Sequence, residues 1–458
     1  MSQSMRQVYN PAANGGAWWL HPAVAFSMPV VIAGITAYCT DYSSYSRFWR
    51  TQKYFDLSCL GLLLGVVVIF AVGCLLGGAR RRESASHPPA EWKLDVRWQL
   101  VRMLFNLSFA LTLVAYFIWF GIAIKNGLRP GVIFEILHSS AGATSDAVNE
   151  HLKTIPGVTT GTQFGLVVIT LGVPLAAVIG WRRVRWQMLA VFGLAFIRSF
   201  LNSERLAIIE LLVPFIVSFI SFNPPRTRRR HRLIQATPVF GPIVLFLFFA
   251  GAEYFRSWTI FYSQRESSFW GFIGLRLMGY YTTALNNGAL LWRASKPLSY
   301  GLEPVTLDFI FRFPFVNQLL PSVLPFFGVP AQVSDYRYDA LLQAAANPEL
   351  NNPSGVFGPI VDYGVAGGLL YWFLCGLLCG YLYKQLRLRR PAGMFLYPLL
   401  YVGLVEAARI LYWAEGRLFP AMFLLVVGIL FFLSNRRSRK GFGPLQQANS
   451  VPAPSLTA

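Results

Sequence analysis

The stretch RSFLNSERLAIIELL, residues 198–212, sets Arg198, Glu204, Arg205 and Glu210 at the junction of two apolar runs. Asn202 or Ser203 suits the N-cap of the second run. Arg205 then falls in the first helical turn, where unpaired backbone N–H groups and the helix dipole already favour an anion. A guanidinium there can grip a phosphate through two parallel hydrogen bonds. Arg198 stands close enough to the end of its own run to snorkel to the surface. Glu210 lies more than a turn deep, where charge becomes costly: about 2.5–3.5 kcal/mol for an Arg, Lys or Asp at the centre of a membrane helix, and less near its end. The rival use of these groups is an ion pair, Arg198 or Arg205 with Glu204 or Glu210, stitching two helices together. The expected outcome is one arginine paired and one open to a ligand.

Other charges fall in equivalent places. Glu406 and Arg409 are a helical turn apart, Glu415 and Arg417 follow in the next turn, Asp362 sits just inside another apolar run, and Glu253 and Arg256 end a third. Together they predict a cavity lined by arginine and carboxylate and open to one side. Such a set can stabilise a phosphate-bearing leaving group with its cations and take up a proton with a carboxylate.

The elements that must position these residues follow from composition. The 458 residues are 55% hydrophobic, 16% aromatic and 13% charged, against roughly a quarter charged in soluble domains. The apolar residues come in runs of about 20, one bilayer crossing each. The chain reads as an all-α polytopic membrane protein with ten spans, at 21–40, 56–78, 102–124, 161–181, 187–200, 205–222, 238–255, 357–382, 391–413 and 418–434. Residues 1–440 form a single transmembrane domain, with 257–356 a large external loop between spans seven and eight. Residues 441–458, rich in Pro, Ser and Ala, form a disordered cytoplasmic tail. The net charge of +20 sits mostly in short clusters between runs on one side, around Arg80–Arg82, Arg182–Arg185, Arg226–Arg232, Lys384–Arg390 and Arg436–Lys440. That is a topology signal placing both termini in the cytoplasm, not a nucleic-acid interface. No cleavable leader is expected ahead of the first span, because polar residues come first and no convincing small-residue cleavage site follows it. Cys39, Cys59, Cys74, Cys375 and Cys379 all lie in or at the ends of spans, so no external disulfide framework is expected. Gly364-x-x-x-Gly368 and Gly376-x-x-x-Gly380 predict close helix packing.

The large loop is unusually apolar. FWGFIGLRLMGYYTTALNNGALLW (269–292) and LDFIFRFPFVNQLLPSVLPFF (307–327) read as interfacial helices lying on or dipping into the membrane. Acids and bases balance within the loop. Its aromatic residues, Tyr280 and Tyr281 among them, suit the C–H faces of sugars as well as a membrane belt.

Several of these stretches carry a family resemblance. NSERLAIIELLVPFIV (202–217) resembles the charged hairpin of O-antigen polymerases and ligases, and GVFGPIVDYGVAGGLLYWFLCGLLCGYLY (355–383) resembles the Asp-aromatic-Gly stretch that opens a late span in Wzy-type oligosaccharide repeat-unit polymerases. RLMGYYTTALNNGALLW (276–292) is similar, more loosely, to their Tyr-rich external segment. The spacing of Arg276 and Gly288 misses the Arg-x10-Gly pattern described for such polymerases by one residue. The ligases use a loop histidine, whereas His21, His87, His138, His151 and His231 all lie outside 257–356. That favours polymerase over ligase.

The resemblance implies a C-type membrane glycosyltransferase in the bacterial inner membrane. It would join undecaprenyl-pyrophosphate-linked repeat units on the external face. Arg198, Arg205, Arg276, Arg337, Arg409 and Arg417, with Tyr280 and Tyr281, are the candidates to bind pyrophosphate and glycan. Asp362, Glu204, Asp335 and Glu415 are the candidate bases. No metal and no cofactor are expected, because no external Asp-x-Asp pair is present. Expected partners are the lipid-linked oligosaccharide, the bilayer and a chain-length regulator. The alternatives are an O-antigen ligase, another lipid-phosphate sugar transferase with Asp41 or Asp56 as base, and a flippase that moves the substrate without lengthening it.

Overall fold

The computed structural model describes residues 17–79, 96–126, 158–201, 206–223, 227–254, 268–295, 305–307 and 337–433, with isolated positions at 129, 131, 258, 263 and 309. Among them there is helix and no β-strand. In chain order the helices are α1 Pro22–Cys39, α2 Tyr42–Trp49, α3 Leu57–Ala79, α4 Trp98–Lys125, α5 Val158–Thr162, α6 Phe164–Ile179, α7 Arg185–Leu201, α8 Leu206–Phe222, α9 Arg228–Gln235, α10 Thr237–Glu253, α11 Phe269–Ala294, α12 Arg337–Ala345, α13 Gly358–Arg387, α14 Pro391–Glu406 and α15 Phe419–Val427.

Each apolar run expected to span contains helix, but not all are long enough to cross a bilayer unaided. By length and composition five qualify: α1, α3, α4, the stretch Val158–Ile179 formed by α5 and α6, and α13. A sixth qualifies if α9 and α10, bent by 59°, count as one span. α8 and α14 are apolar but have only 17 and 16 residues; at about 1.5 Å rise per residue they cover less than the hydrocarbon core. The chain is thus an α-helical membrane protein with five or six candidate spanning helices.

Two apolar cores hold the bundle. One gathers α1, α3, α13 and the inner face of α14 around Phe26, Phe70 and Trp372. The other gathers α4, α6, α7 and α8 around Phe105, Val168 and Leu399. α14 contributes to both, which explains why nearly all of its residues are buried.

The tightest contact is α3 against α13. A methyl added to Gly77 would lie 2.1 Å from the Leu377 carbonyl oxygen, and one on Gly380 2.1 Å from the Cys74 carbonyl oxygen. Gly73 and Gly376 face the opposite backbone in the same way. Only glycine lets two backbones approach so closely, and in lipid such packing, not a hydrophobic drive, holds helices together. The expectation for Gly376-x-x-x-Gly380 is met. That for Gly364-x-x-x-Gly368 is corrected. Gly364 takes φ 71° and ψ 177° and kinks α13, and Gly368 lets Ile360, from the turn before the kink, fold back onto the helix. This pair serves a bend within one helix, not a crossing between two.

The stretch 269–292 reads by sequence as interfacial helices in the plural. Instead α11 is one helix of 26 residues, with a continuous buried stretch from Thr282 to Leu291. The linker between α1 and α3 runs alongside it. The Trp49 indole N–H donates to the Leu275 carbonyl at 3.1 Å, Asn286 Oδ1 accepts from the backbone of Tyr54 and Phe55 at 2.6 and 3.0 Å, and Arg293 pairs with Asp56 at 2.5 Å. α11 is thus fixed against the linker at this end of α1 and α3. Asn287 donates on its other side to the carbonyls of Leu350 and Asn352 at 2.9 and 3.0 Å. The adjacent asparagines thus clamp two extended segments onto one helix.

Candidate functional site

Buried and half-buried charged side chains gather in two groups. The first is built by α7 and α8. α7 ends at Leu201 and α8 begins at Leu206, the short hairpin that the charge pattern anticipated. Arg198, in the last turn of α7, is 1% exposed. The expectation that it snorkels is therefore corrected: the apolar faces of α4, α6 and α8 close around it, and it donates to the Thr162 hydroxyl at 2.6 Å. Glu210, 2% exposed, faces the same cavity, together with Tyr116, Gln163 and Ala207. Arg417 reaches Glu210 at 3.6 Å from the turn that precedes α15 and stays partly exposed. Tyr412, fully enclosed, lies within electrostatic range of both Glu210 and Arg417. Arg417 thus pairs with a buried carboxylate whose cavity Arg198 also lines.

The second group lies along α11. Arg276 meets Glu253, the last residue of α10, at 2.6 Å and Glu349 at 2.7 Å. Its guanidinium therefore faces two carboxylates and the Phe272 ring. Arg409 pairs with Glu406 at 2.8 Å, from the turn that ends α14. Tyr281 feels both members of that pair, and Tyr280 lies within electrostatic range of Arg276 and Arg409 alike. The segment from Glu406 to Arg417 joins the two groups. The backbone of Ser354 and Val356 donates to Arg409 and Ala407 at 3.0 and 3.1 Å and so fixes this segment against the start of α13.

Asp362 stands apart. It is one of the candidate bases; the rival readings for such a carboxylate are a helix cap or an ion pair with Arg409. Its carboxylate accepts the backbone N–H groups of Val305 and Thr306 at 3.1 and 2.8 Å, while Arg409 is held by Glu406. Asp362 instead anchors the turn at Val305–Leu307, and the Thr306 hydroxyl adds a 2.5 Å hydrogen bond with Tyr363. Asparagine keeps the shape but turns an amide N–H₂ toward one of two buried donors. Leaving such a donor unmet costs about 1–3 kcal/mol. Asp362→Asn should lower the thermal midpoint of the purified protein, with any loss of activity following loss of folded protein. Normal melting with a hundredfold slower turnover would restore Asp362 as the base.

Asp41 and Asp56 are also engaged locally. Asp41 accepts from Ser43. Asp56 accepts from the Ser58 hydroxyl at 2.6 Å and the Cys59 N–H at 3.0 Å, as an N-terminal cap of α3. Slight burial opposes its ionisation, but these donors and the Arg293 guanidinium outweigh it and hold the carboxyl below its ordinary range. Its folded pKa is thus lower than its unfolded one. The stabilisation is fully present above the unfolded value near about 4 and disappears as pH falls through the folded value. Both partners are 44% exposed, so most of the effect is the cap, worth about 1 kcal/mol. Asp56→Ala should lower the melting temperature at pH 7 and converge on the parent protein in strong acid. A gap that persists unchanged into acid contradicts the assignment.

Of the remaining candidates, Glu204, Arg205 and Asp335 lie outside the described residues, as do Asn202, Ser203 and Arg256. Arg337 opens α12, but its side chain is not among those described. Glu415 lies partly exposed in the turn between Tyr412 and Arg417. Sequence reasoning missed Thr162 and Gln163, the carboxylates Glu253 and Glu349 as partners of Arg276, and the clamp formed by Asn286 and Asn287. Two adjacent asparagines within an otherwise apolar run are the signal that could have shown the clamp. Comparison with protein-family models, with curated proteins and with solved structures finds no match to this chain.

Proposed function

We propose that this chain is a membrane glycosyltransferase of the bacterial inner membrane that polymerises undecaprenyl-pyrophosphate-linked glycan repeat units on the external face. In this reading the chain crosses the bilayer about ten times, the shorter helices included, with both termini cytoplasmic. The acceptor sugar's hydroxyl oxygen bonds to the anomeric carbon of the donor while the bond from that carbon to the pyrophosphate oxygen breaks. The electron pair leaves with the lipid pyrophosphate, and the hydroxyl proton passes to a carboxylate. Arginines stabilise the departing charge. The observation that carries the reading is the buried Glu210, paired with Arg417 and sharing a cavity with Arg198, together with the Arg409–Glu406 pair. Intramembrane charges are expensive and mark sites that handle charged substrates. The motif resemblance supplies the sugar chemistry.

A strain lacking the protein tests the assignment against a flippase. Loss of a polymerase leaves surface glycan capped with a single repeat unit. Loss of a flippase leaves none, with lipid-linked units held on the cytoplasmic side. The second pattern would reject the polymerase.

A further inference from the structure

Glu210 was not among the groups expected to perform the reaction, yet it is the most enclosed carboxylate of the first group. It projects from the second turn of α8 into the cavity that Arg198 enters from α7, with Thr162, Gln163 and Tyr116 on the remaining walls. Above it, Arg417 stands at 3.6 Å and is 26% exposed, against 2% for Glu210. The titratable or charged groups facing it are Tyr116 from α4, Arg198 from α7, and Tyr412 and Arg417 from the segment after α14, with Glu415 within electrostatic range of Tyr412. The cavity has room for about one water molecule, too little for a phosphate. An anion approaching the cavity therefore meets Arg417 first, while Arg417 is engaged by Glu210.

We propose that Glu210 is an internal counter-anion. It holds Arg417 in position while the site is empty, and it yields Arg417 to the diphosphate of a lipid-linked substrate when that binds. Glu210 is thus a positioning residue, acting through Arg417 and not on the reacting atoms. The proposal rests on the glycosyltransferase reading for the identity of the ligand, and on the geometry alone for a diphosphate-type anion. Its electrostatic consequence is specific. With Glu210 ionised, a bound diphosphate must displace or tolerate a nearby carboxylate. That weakens ground-state binding and speeds release of the pyrophosphate-bearing product.

Removing the charge while keeping the shape should therefore tighten binding and slow turnover together. For purified Glu210→Gln, affinity for inorganic pyrophosphate is expected to rise by at least about tenfold, since a like charge a few ångströms away has been removed. With lipid-linked repeat units, KM should fall and kcat should fall with it. Glu210→Asp keeps the charge and should leave pyrophosphate affinity near that of the parent. A side chain that merely supports packing would lower stability and leave affinity unchanged or weaker, and that result overturns the proposal.

If Glu210→Gln does not fold, Arg417→Gln provides the second route. It must weaken pyrophosphate binding by about tenfold, and unchanged affinity overturns the proposal. Farnesyl diphosphate and phosphatidylglycerol used as competitors separate the ligand sources: displacement of pyrophosphate by the former and not the latter is expected, and the reverse makes this a phospholipid headgroup site. The pyrophosphate measurement needs no turnover. Tightened pyrophosphate binding in Glu210→Gln, with a parent protein that makes no glycan, would reject the polymerase alone, whereas glycan synthesis by the parent with unchanged pyrophosphate affinity in Glu210→Gln would reject the counter-anion alone.

Discussion

Arg198→Lys is expected to slow glycan polymerisation by at least about tenfold, acting through the cavity it shares with Glu210 and not by touching the diphosphate, while the protein stays folded. Arg198 is buried and anchored by the Thr162 hydroxyl, so its planar fork is held in one orientation. Lysine keeps the positive charge, which balances Glu210 across the cavity, but lacks the fork and presents a more strongly hydrated point charge. The melting temperature should therefore change little while turnover collapses. Thr162→Val removes the anchor without touching the charge, and a smaller loss in the same direction is expected. The checks are turnover of lipid-linked units by purified variants and their thermal unfolding. Wild-type turnover in Arg198→Lys would reduce the residue to a structural cation. A fall in turnover that matches loss of folded protein would do the same.

The largest effect on folding is expected at the crossing of α3 and α13. Gly380→Leu places a branched side chain where even a single added carbon would lie 2.1 Å from a carbonyl oxygen. Backbone cannot give way as the end of a flexible side chain can, so the helices must separate along their contact. Phe70 and Trp372 pack across the same interface, and their contact is lost with it. Membrane-inserted folded protein should fall at least several-fold, measured as monodisperse protein recovered in mild detergent. Gly61→Leu is the matched control, because nothing lies within 4 Å of a carbon added there, and it should accumulate normally. Equal recovery of both variants would show that the crossing is not what holds the bundle.

Much of the scaffold was legible because membrane helices announce themselves: the apolar runs of α1, α3, α4 and α13 are long, and lipid admits few other structures. Gly376-x-x-x-Gly380 was legible for a related reason, since small residues one turn apart leave a groove that another helix fills. The partner groove at Gly73 and Gly77 was equally visible but unread, because pairing two helices requires knowing which are neighbours. The kink at Gly364 was hidden by the same periodicity. Spacing alone does not separate a glycine needed for contact from one needed for a positive φ.

Individual site residues were found more readily than their connections. Arg198, Glu210, Glu406, Arg409 and Arg417 stood out as charges in apolar surroundings. Glu406 and Arg409 paired as their separation of a single turn suggests. The other pairings are long-range in sequence. Arg276 meets carboxylates from α10 and from the segment before α13, and Glu210 meets an arginine that follows α14. Asp362 illustrates the same limit. Its chemistry made it a candidate base, and only the fold shows two backbone N–H groups directed at it. The span count is met only in part, with five or six helices long enough by themselves, because a 16-residue helix and a 23-residue helix look alike when both lie in continuous apolar sequence.

The most direct test of the central claim is the product made by purified protein in detergent or liposomes when it is supplied only with undecaprenyl-pyrophosphate-linked repeat units. The account predicts a ladder of lipid-linked glycans on a gel, spaced by one repeat unit, with undecaprenyl pyrophosphate released in step with each bond formed. Repeat units that remain single, with no lipid pyrophosphate released by a protein shown to be folded, would contradict it.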